Sequence, residues 1–361
     1  MTSPDHPTVY HAAEKAGYEE HRFLADHDRE VYNRAERHRK TCCVRFSGRD
    51  EYGIRRRVRM KNPIIPERAG DPCILKVNGD YYMSATGGGS RPGREFVCWH
   101  STDLQHWSAP KTILDFRDVS WAQEKAWAPA MVESGGFYYL AFCADQQIGI
   151  AVCDRPDGTY RDVLGAPLIA KVDYDFQTID PAFIKDGEGK VYFAFGQGKC
   201  MISEISLSPE HAELIGEMRC VSDVIYSQFS HHPSLEDKSI YNEAPDFIRI
   251  GDRYLFSWAI YDVMDYRYGM RYAWSRHPMG PYILPLDFDH DNILLQGRHN
   301  ITGCGHACVT EYQGDYYILY GRHRKDRTDG WGRDMCCDRI TFLDRDHLIA
   351  VPGALDEDMP S

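Results

Sequence analysis

One hairpin pattern occurs five times in this chain, and that recurrence constrains the fold more than any other feature. The first copy runs Asp71-Pro-Cys-Ile-Leu-Lys-Val-Asn-Gly-Asp-Tyr-Tyr82: a carboxylate, a proline, an apolar run, a Gly-centred turn and an aromatic strand. Such a segment reads as a β-hairpin. The others begin at Trp127-Ala-Pro-Ala-Met-Val, Asp180-Pro-Ala-Phe-Ile, Glu243-Ala-Pro-Asp-Phe-Ile and His306-Ala-Cys-Val-Thr. Aligned on Asp71, Ala128, Asp180, Ala244 and His306, the copies start about 57, 52, 64 and 62 residues apart. Four carry a tyrosine ten positions on, at Tyr81, Tyr138, Tyr254 and Tyr316; the third copy has one extra turn residue and carries its tyrosine at Tyr192. Repeats of this length, each opening on a hairpin, are expected of a radial all-β fold with one blade per repeat. The expectation is therefore a five-bladed β-propeller over residues 61–361, preceded by an extension over residues 1–60.

The extension differs in character. His11–Lys15 and Phe23–Arg37 are rich in helix formers and mixed charge, with a thin apolar stripe at Phe23, Leu24, Val31, Tyr32 and Ala35. They read as a short helical segment that packs on the body or on a second copy, which leaves a homo-oligomer open. Residues 43–60 alternate polar and apolar as an edge strand does, so the arginines at 55, 56, 57 and 59 read as a solvated face. Further on, Arg155-Pro-Asp-Gly-Thr-Tyr160 and His277-Pro-Met-Gly-Pro-Tyr282 repeat one turn punctuation at matching places in two blades. The span 207–240 breaks the pattern and reads as loop.

Composition narrows the partners. A net charge of −12 disfavours nucleic acid and anionic membranes. No apolar run is long enough to span a bilayer, and the first thirty residues hold no apolar h-region. The 12 cysteines show no zinc-finger spacing, and most lie in apolar strand-like runs, as buried free thiols of a reducing compartment do. A cytoplasmic protein is the expectation. Cys304 and Cys308 flank His306, a weak zinc pattern. Twenty-three tyrosines suit strands and sugar stacking.

In a propeller the innermost strands begin near the central axis, so equivalent positions of different blades converge. Asp71, Asp180 and Glu243 are thereby expected around one pit. A lone acid before proline at a strand end is usually turn chemistry; three at equivalent repeat positions call for another explanation. Acids gathered in a partly desolvated pit raise one another's pKa. Glycoside hydrolysis needs that outcome: one carboxyl that keeps its proton for the leaving oxygen, and one ionised to activate water.

Over roughly residues 62–345 the chain resembles glycoside hydrolase family 43, the five-bladed propeller enzymes. The resemblance rests on Asn62-Pro-Ile-Ile-Pro with Asp71-Pro, on Ile179-Asp-Pro-Ala-Phe-Ile, on Glu243-Ala-Pro, and on the blade turns Ser101–Trp107 and Gly149–Tyr160. It implies Asp71 as general base, Asp180 as pKa modulator and orienter, and Glu243 as general acid of an inverting reaction, with the Asp71 and Glu243 carboxyls about 6.5–9.5 Å apart. It further implies Arg322 as a substrate arginine, although Gly321 stands where the family more often has histidine. Trp127 is expected as an aromatic wall of the sugar subsite or as a blade-core tryptophan. His306, in Gly303-Cys-Gly-His, matches a histidine that helps hold a hydrated Ca2+, mostly through water; a metal-free, hydrogen-bonded histidine is the alternative. No cofactor is needed for the chemistry.

The activity implied is exo-acting release of a terminal pentose from short oligosaccharides, as an α-L-arabinofuranosidase, a β-xylosidase or both. A β-D-galactofuranosidase or galactan-active enzyme is the alternative within the family. A sugar-binding propeller without catalysis is the alternative of another class. The retaining sucrose and fructan enzymes share the five-bladed fold, but their Asn-Asp-Pro-Asn and Glu-Cys-Pro segments are missing here.

Overall fold

Each of the five hairpins forms, and each continues into a four-stranded antiparallel sheet whose strands follow chain order. The computed structural model describes residues 60–229, 237–285, 292–298, 300–324 and 332–353. The expected N-terminal helix and most of the edge strand lie outside the described residues. Val58–Gly297 and Ile301–Ser361 form one compact unit, a five-bladed propeller.

Blade I comprises β1 (Ala69–Val77), β2 (Asp80–Gly87), β3 (Glu95–Ser101) and β4 (Lys111–Asp115). Blade II comprises β5 (Trp127–Ser134), β6 (Phe137–Ala144), β7 (Gln147–Cys153) and β8 (Arg161–Asp162). Blade III comprises β9 (Ala182–Lys185), β10 (Val191–Phe195), β11 (Met201–Ser208) and β12 (His211–Cys220). Blade IV comprises β13 (Glu243–Ile250), β14 (Arg253–Ile260), β15 (Gly269–Ser275) and β16 (Ile293–Leu295). Blade V comprises β17 (Gly305–Tyr312), β18 (Asp315–His323), β19 (Arg333–Phe342) and β20 (Leu348–Ala350). The first strands touch one another in the cyclic order β1, β5, β9, β13, β17 and back to β1.

The repeat holds at the level of register. Lys76 pairs with Tyr81, Glu133 with Tyr138, Arg249 with Tyr254 and Glu311 with Tyr316. In blade III the extra turn residue shifts the partner by one, so Lys185 faces Val191 and Tyr192 faces Ile184. The repeated turns also match: the Tyr160 and Tyr282 hydroxyls donate to the carbonyls of Pro156 and Pro278, at 3.1 and 2.7 Å.

The core consists of apolar layers between neighbouring blades. One layer packs Phe96 and Cys98 of blade I against Leu140 and Phe142 of blade II, and another packs Phe256 and Trp258 of blade IV against Ala194 and Ile202 of blade III. Fully burying one such aromatic contributes about 1.5–3 kcal/mol, so each interface is held by several large side chains and not by backbone pairing. The ring closes between blades V and I. Met83 and Trp99 pack there against Leu319 and Met335. The segment before β1 also laces onto β19: Ile64 N donates to Met335 O at 2.8 Å, and the Asn62 amide bridges Asp338 and the Cys337 backbone.

The span 207–240, expected as loop, is instead ordered in large part. It holds β12 and a helix, α1 (Val221–Gln228), followed after a gap by a short turn of helix at Asp237–Ile240. β12 is the outermost strand of its blade; mostly solvent-facing, it lacks apolar alternation, and Gly216 interrupts it at a φ of +79°. Among the described residues no helix is long and apolar enough to cross a membrane.

Candidate active site

The five residues on which the repeats were aligned share one unusual backbone state. Asp71, Ala128, Asp180, Ala244 and His306 have φ of +53°, +38°, +56°, +55° and +46°. The left-handed region costs a non-glycine residue roughly 1–2 kcal/mol, and strain of this kind collects at functional sites where the surroundings enforce it. In four blades a register shift spans the same point, between Gly70 and Cys73, Trp127 and Ala130, Glu243 and Asp246, and Gly305 and Ala307. A bulge re-aims a side chain. It brings Glu243, one position earlier in its repeat, into the same pit as Asp71, Asp180 and His306.

Those four side chains meet. His306 Nδ1 lies 3.1 Å from Asp71 Oδ1 and 3.7 Å from Asp180 Oδ2. Asp180, Glu243 and His306 each offer a ligand atom within 4.8 Å of the others. Asp180 Oδ2 also accepts the Ala244 backbone N–H at 2.9 Å, which fixes the residue next to Glu243. Trp127 occupies in blade II the place that Glu243 holds in blade IV; it is half-buried, with Lys125 Nζ 5.4 Å from its ring centroid.

Three contributors come from outside the repeat positions. Arg333, at the start of β19, forms a bidentate pair with Asp71, Nη1 to Oδ1 at 2.5 Å and Nη2 to Oδ2 at 2.7 Å. The Tyr268 hydroxyl donates to Glu243 Oε1 at 2.6 Å, and Gln197 Nε2 donates to Glu243 Oε2. Glycines make room for two of them. A Cβ on Gly70 would lie 2.3 Å from the Arg333 guanidinium, and one on Gly305 would lie 2.3 Å from the Tyr268 ring. Arg322, the arginine singled out in the sequence, lies 3.6 Å from Asp334 and reaches the Gly353 carbonyl. The guanidinium on Asp71 is that of Arg333, from the neighbouring strand. Gly321 belongs to this arrangement, because its Cβ would crowd the Arg333 stem at 3.0 Å.

These contacts separate the carboxyls electrostatically. Burial pushes the Asp71 pKa up, but the Arg333 and His306 charges outweigh it and hold the group well below the usual carboxylate range. Glu243 is pushed up to about 7 by burial and by the Asp180 charge, against the Tyr268 hydrogen bond and His306. Asp180 is raised by burial, with His306 opposing and Asp71 adding. His306 is raised to about 9: burial opposes its charge, and Asp71 and Asp180 more than compensate. At neutral pH the pit thus holds an ionised Asp71, an imidazolium and a carboxyl at Glu243 able to carry a proton. Two acids at opposite ends of the titration range are the requirement for acid and base catalysis at one site.

A family model for Glycosyl hydrolases family 43 matches residues 60–347. The chain belongs to glycoside hydrolase family 43. It is therefore a glycosidase of an inverting family. It is 26% identical to the β-D-galactofuranosidase xynD of Aspergillus niger over 312 residues, covering 82% of this chain and 86% of that protein. It is 22% identical to a β-xylosidase of Xylanibacter ruminicola, covering 65% of this chain and 76% of that enzyme. Among solved structures, a thermostable family-43 glycoside hydrolase superposes with a TM-score of 0.68 at 23% identity, covering 84% of this chain and 98% of that one. An α-L-arabinofuranosidase from Clostridium thermocellum superposes with a TM-score of 0.60 at 20% identity, covering 79% and 94%.

The donor set permits a metal in principle. Donor atoms within 4.8 Å of one another can ligate one ion with bonds of about 2.4 Å. Two carboxylate oxygens and one imidazole, which would have to give up their protons to ligate, are a sparse set for a hard cation such as Ca2+, which prefers six or more oxygens, so water would supply the rest.

Proposed function

We propose that this enzyme is an exo-acting, inverting glycosidase that releases a terminal pentose from short oligosaccharides, with α-L-arabinofuranosides and β-xylosides as substrates. The observation that carries the chemistry is the pair Asp71 and Glu243 in one pit, one held ionised by Arg333 and the other raised to about 7. Asp71, as general base, takes a proton from the water that attacks the anomeric carbon. Glu243, as general acid, delivers its proton to the departing glycosidic oxygen. Asp180 orients the acid's strand through the Ala244 amide and keeps the Glu243 pKa high by its own charge. His306 steadies both aspartates. Trp127 forms a wall of the sugar subsite. Arg333 holds the base, and Arg322 is the arginine that reaches the substrate.

The chemistry needs no cofactor. A hydrated Ca2+ near Asp180, Glu243 and His306 would be held mostly through water and would supply fixed positive charge at the pit. The ten described cysteines are free, which supports a reducing, cytoplasmic setting and small imported substrates over polymers. A partner role for the N-terminal extension as a dimer arm belongs to the same proposal.

The galactofuranosidase relative favours a second reading, a β-D-galactofuranoside as substrate. A panel of 4-nitrophenyl α-L-arabinofuranoside, β-D-xyloside and β-D-galactofuranoside separates them. Turnover of either pentoside well above the galactofuranoside supports the first reading. The reverse order establishes the second, and no turnover of any by pure enzyme overturns both in favour of a sugar-binding propeller.

A further inference from the structure

Glu243 is gripped at both oxygens by side chains that the repeat pattern does not supply. Tyr268 donates to Oε1 and Gln197 donates to Oε2. Both donors are themselves held. Tyr268 is fully buried at the foot of β15, its ring fitted against the bare Cα of Gly305, and its backbone N–H donates to Asp265 O at 3.1 Å. Gln197 stands between Gly196 and Gly198, at φ of +123° and +79°, conformations that glycine adopts without strain. That turn is pinned on each side of the glutamine. The Tyr241 hydroxyl donates to Gly196 O at 2.8 Å, and Gly198 N donates to the carbonyl of Asn242, the residue before Glu243, at 2.6 Å. Gln197 N also donates to Gln177 O at 3.0 Å. The turn that carries the amide is therefore fixed relative to the strand that carries the acid.

We propose that Gln197 and Tyr268 are positioning residues for proton delivery by Glu243. The inference rests on Glu243 being the general acid. Tyr268 marks Oε1 as the oxygen that only accepts, so the proton resides on Oε2. As the glycosidic C–O bond breaks, that proton passes to the leaving oxygen and its O–H bond electrons stay on Oε2. The charge that develops there meets the Gln197 N–H already aimed at it, and a donor fixed in place where charge appears costs no reorganisation. Asp71 and the attacking water are untouched by this device.

Leaving-group dependence tests it. A 2,4-dinitrophenyl glycoside departs without protonation, whereas a 4-methoxyphenyl glycoside of the same sugar needs the acid. The variants are Tyr268→Phe, which keeps the ring in its place beside Gly305, and Gln197→Leu, with Glu243→Gln as reference. General acid catalysis contributes typically about 10²–10⁴-fold. Each positioning variant is expected to lose about 10–100-fold in kcat on the methoxyphenyl substrate and less than about threefold on the dinitrophenyl one. The KM for each substrate should hold. Should either variant fold poorly, as thermal unfolding reports, the other decides. Equal losses on both substrates, or none on either, with Glu243→Gln still selective, overturn the positioning roles alone. Should Glu243→Gln itself be unselective, the acid assignment falls first.

Discussion

Replacing Arg333 with methionine tests the electrostatic frame of the site most sharply. The Arg333 and Asp71 side chains are 2% and 11% exposed and share two charge-assisted hydrogen bonds. Methionine keeps much of the stem and removes the charge. Breaking a buried pair by deleting one partner costs about 3–5 kcal/mol, because the remaining ion keeps its desolvation penalty. His306 stays 3.1 Å from Asp71 and shares the load, so we expect the lower end, about 3 kcal/mol at pH 7, or roughly 4–5 °C in Tm for a chain of this size. The sign with pH follows. Asp71 has a folded pKa depressed below its unfolded value, so its contribution is present above the unfolded pKa near 3.8 and is lost as pH falls below it. The Arg333→Met deficit should therefore be full at pH 7 and shrink toward pH 3. Adding Asp71→Asn to Arg333→Met removes the stranded charge and should restore about half or more of the loss, since a buried pair replaced at both ends is often nearly neutral. Urea unfolding of wild type, both single variants and the double variant completes the cycle. A deficit under about 1 kcal/mol, or strictly additive losses, would refute the claim that Arg333 exists to hold Asp71 ionised.

Other outcomes follow from the same contacts. With Glu243 at about 7, kcat on substrates with poor leaving groups should fall as pH rises above about 7, while the base limb set by Asp71 lies far into acid; a flat profile from pH 6 to 9 contradicts the assignment. Gly305→Ala places a Cβ 2.3 Å from the Tyr268 ring, so it should lower kcat on poor leaving groups more than on activated ones, read with the same aryl pair. Asp246, half-buried and accepting the Val309 N–H at 3.0 Å, is pushed up to about 7 by burial. Its folded pKa is raised, so through this group the wild type loses stability as pH climbs from about 4 to about 7. Asp246→Asn should remove that part of the slope, and unfolding midpoints across the range would expose its persistence.

The sequence carried the parts of this enzyme that repeat. Asp71, Asp180 and His306 are legible because the same place in each blade faces the axis, and Glu243 because it sits one step away across a bulge. The hairpin registers follow the alignment down to the extra residue in blade III. A ring of charge is equally legible in the repeats. Five positions beyond the aligned residues stand Lys76, Glu133, Lys185, Arg249 and Glu311, and the first strands pair there as Lys76 with Glu311 and Lys185 with Glu133. What periodicity cannot carry is a side chain delivered from another strand or loop. Arg333, Tyr268 and Gln197 enter from β19, from the residue before β15 and from the turn after β10. Their trace is complementary: glycines at 70, 196, 198, 305 and 321, where the backbone must leave space or turn sharply. Arg322 matched a motif by order along the chain as an arginine for the substrate, whereas Arg333 on the next strand, which pairs with the base, matched none. The loop assigned to 207–240 failed for a different reason, since an outer strand wetted on both faces has no apolar rhythm to read.

The stereochemistry of the first product tests the central claim most directly. Proton NMR of an aryl glycoside digest, recorded before mutarotation, reports the anomer released. Asp71 activating water opposite a proton-donating Glu243 requires the inverted sugar at the earliest time points. A retained anomer would mean a carboxylate attacked the sugar itself, and the division of labour between Asp71 and Glu243 described above would not stand.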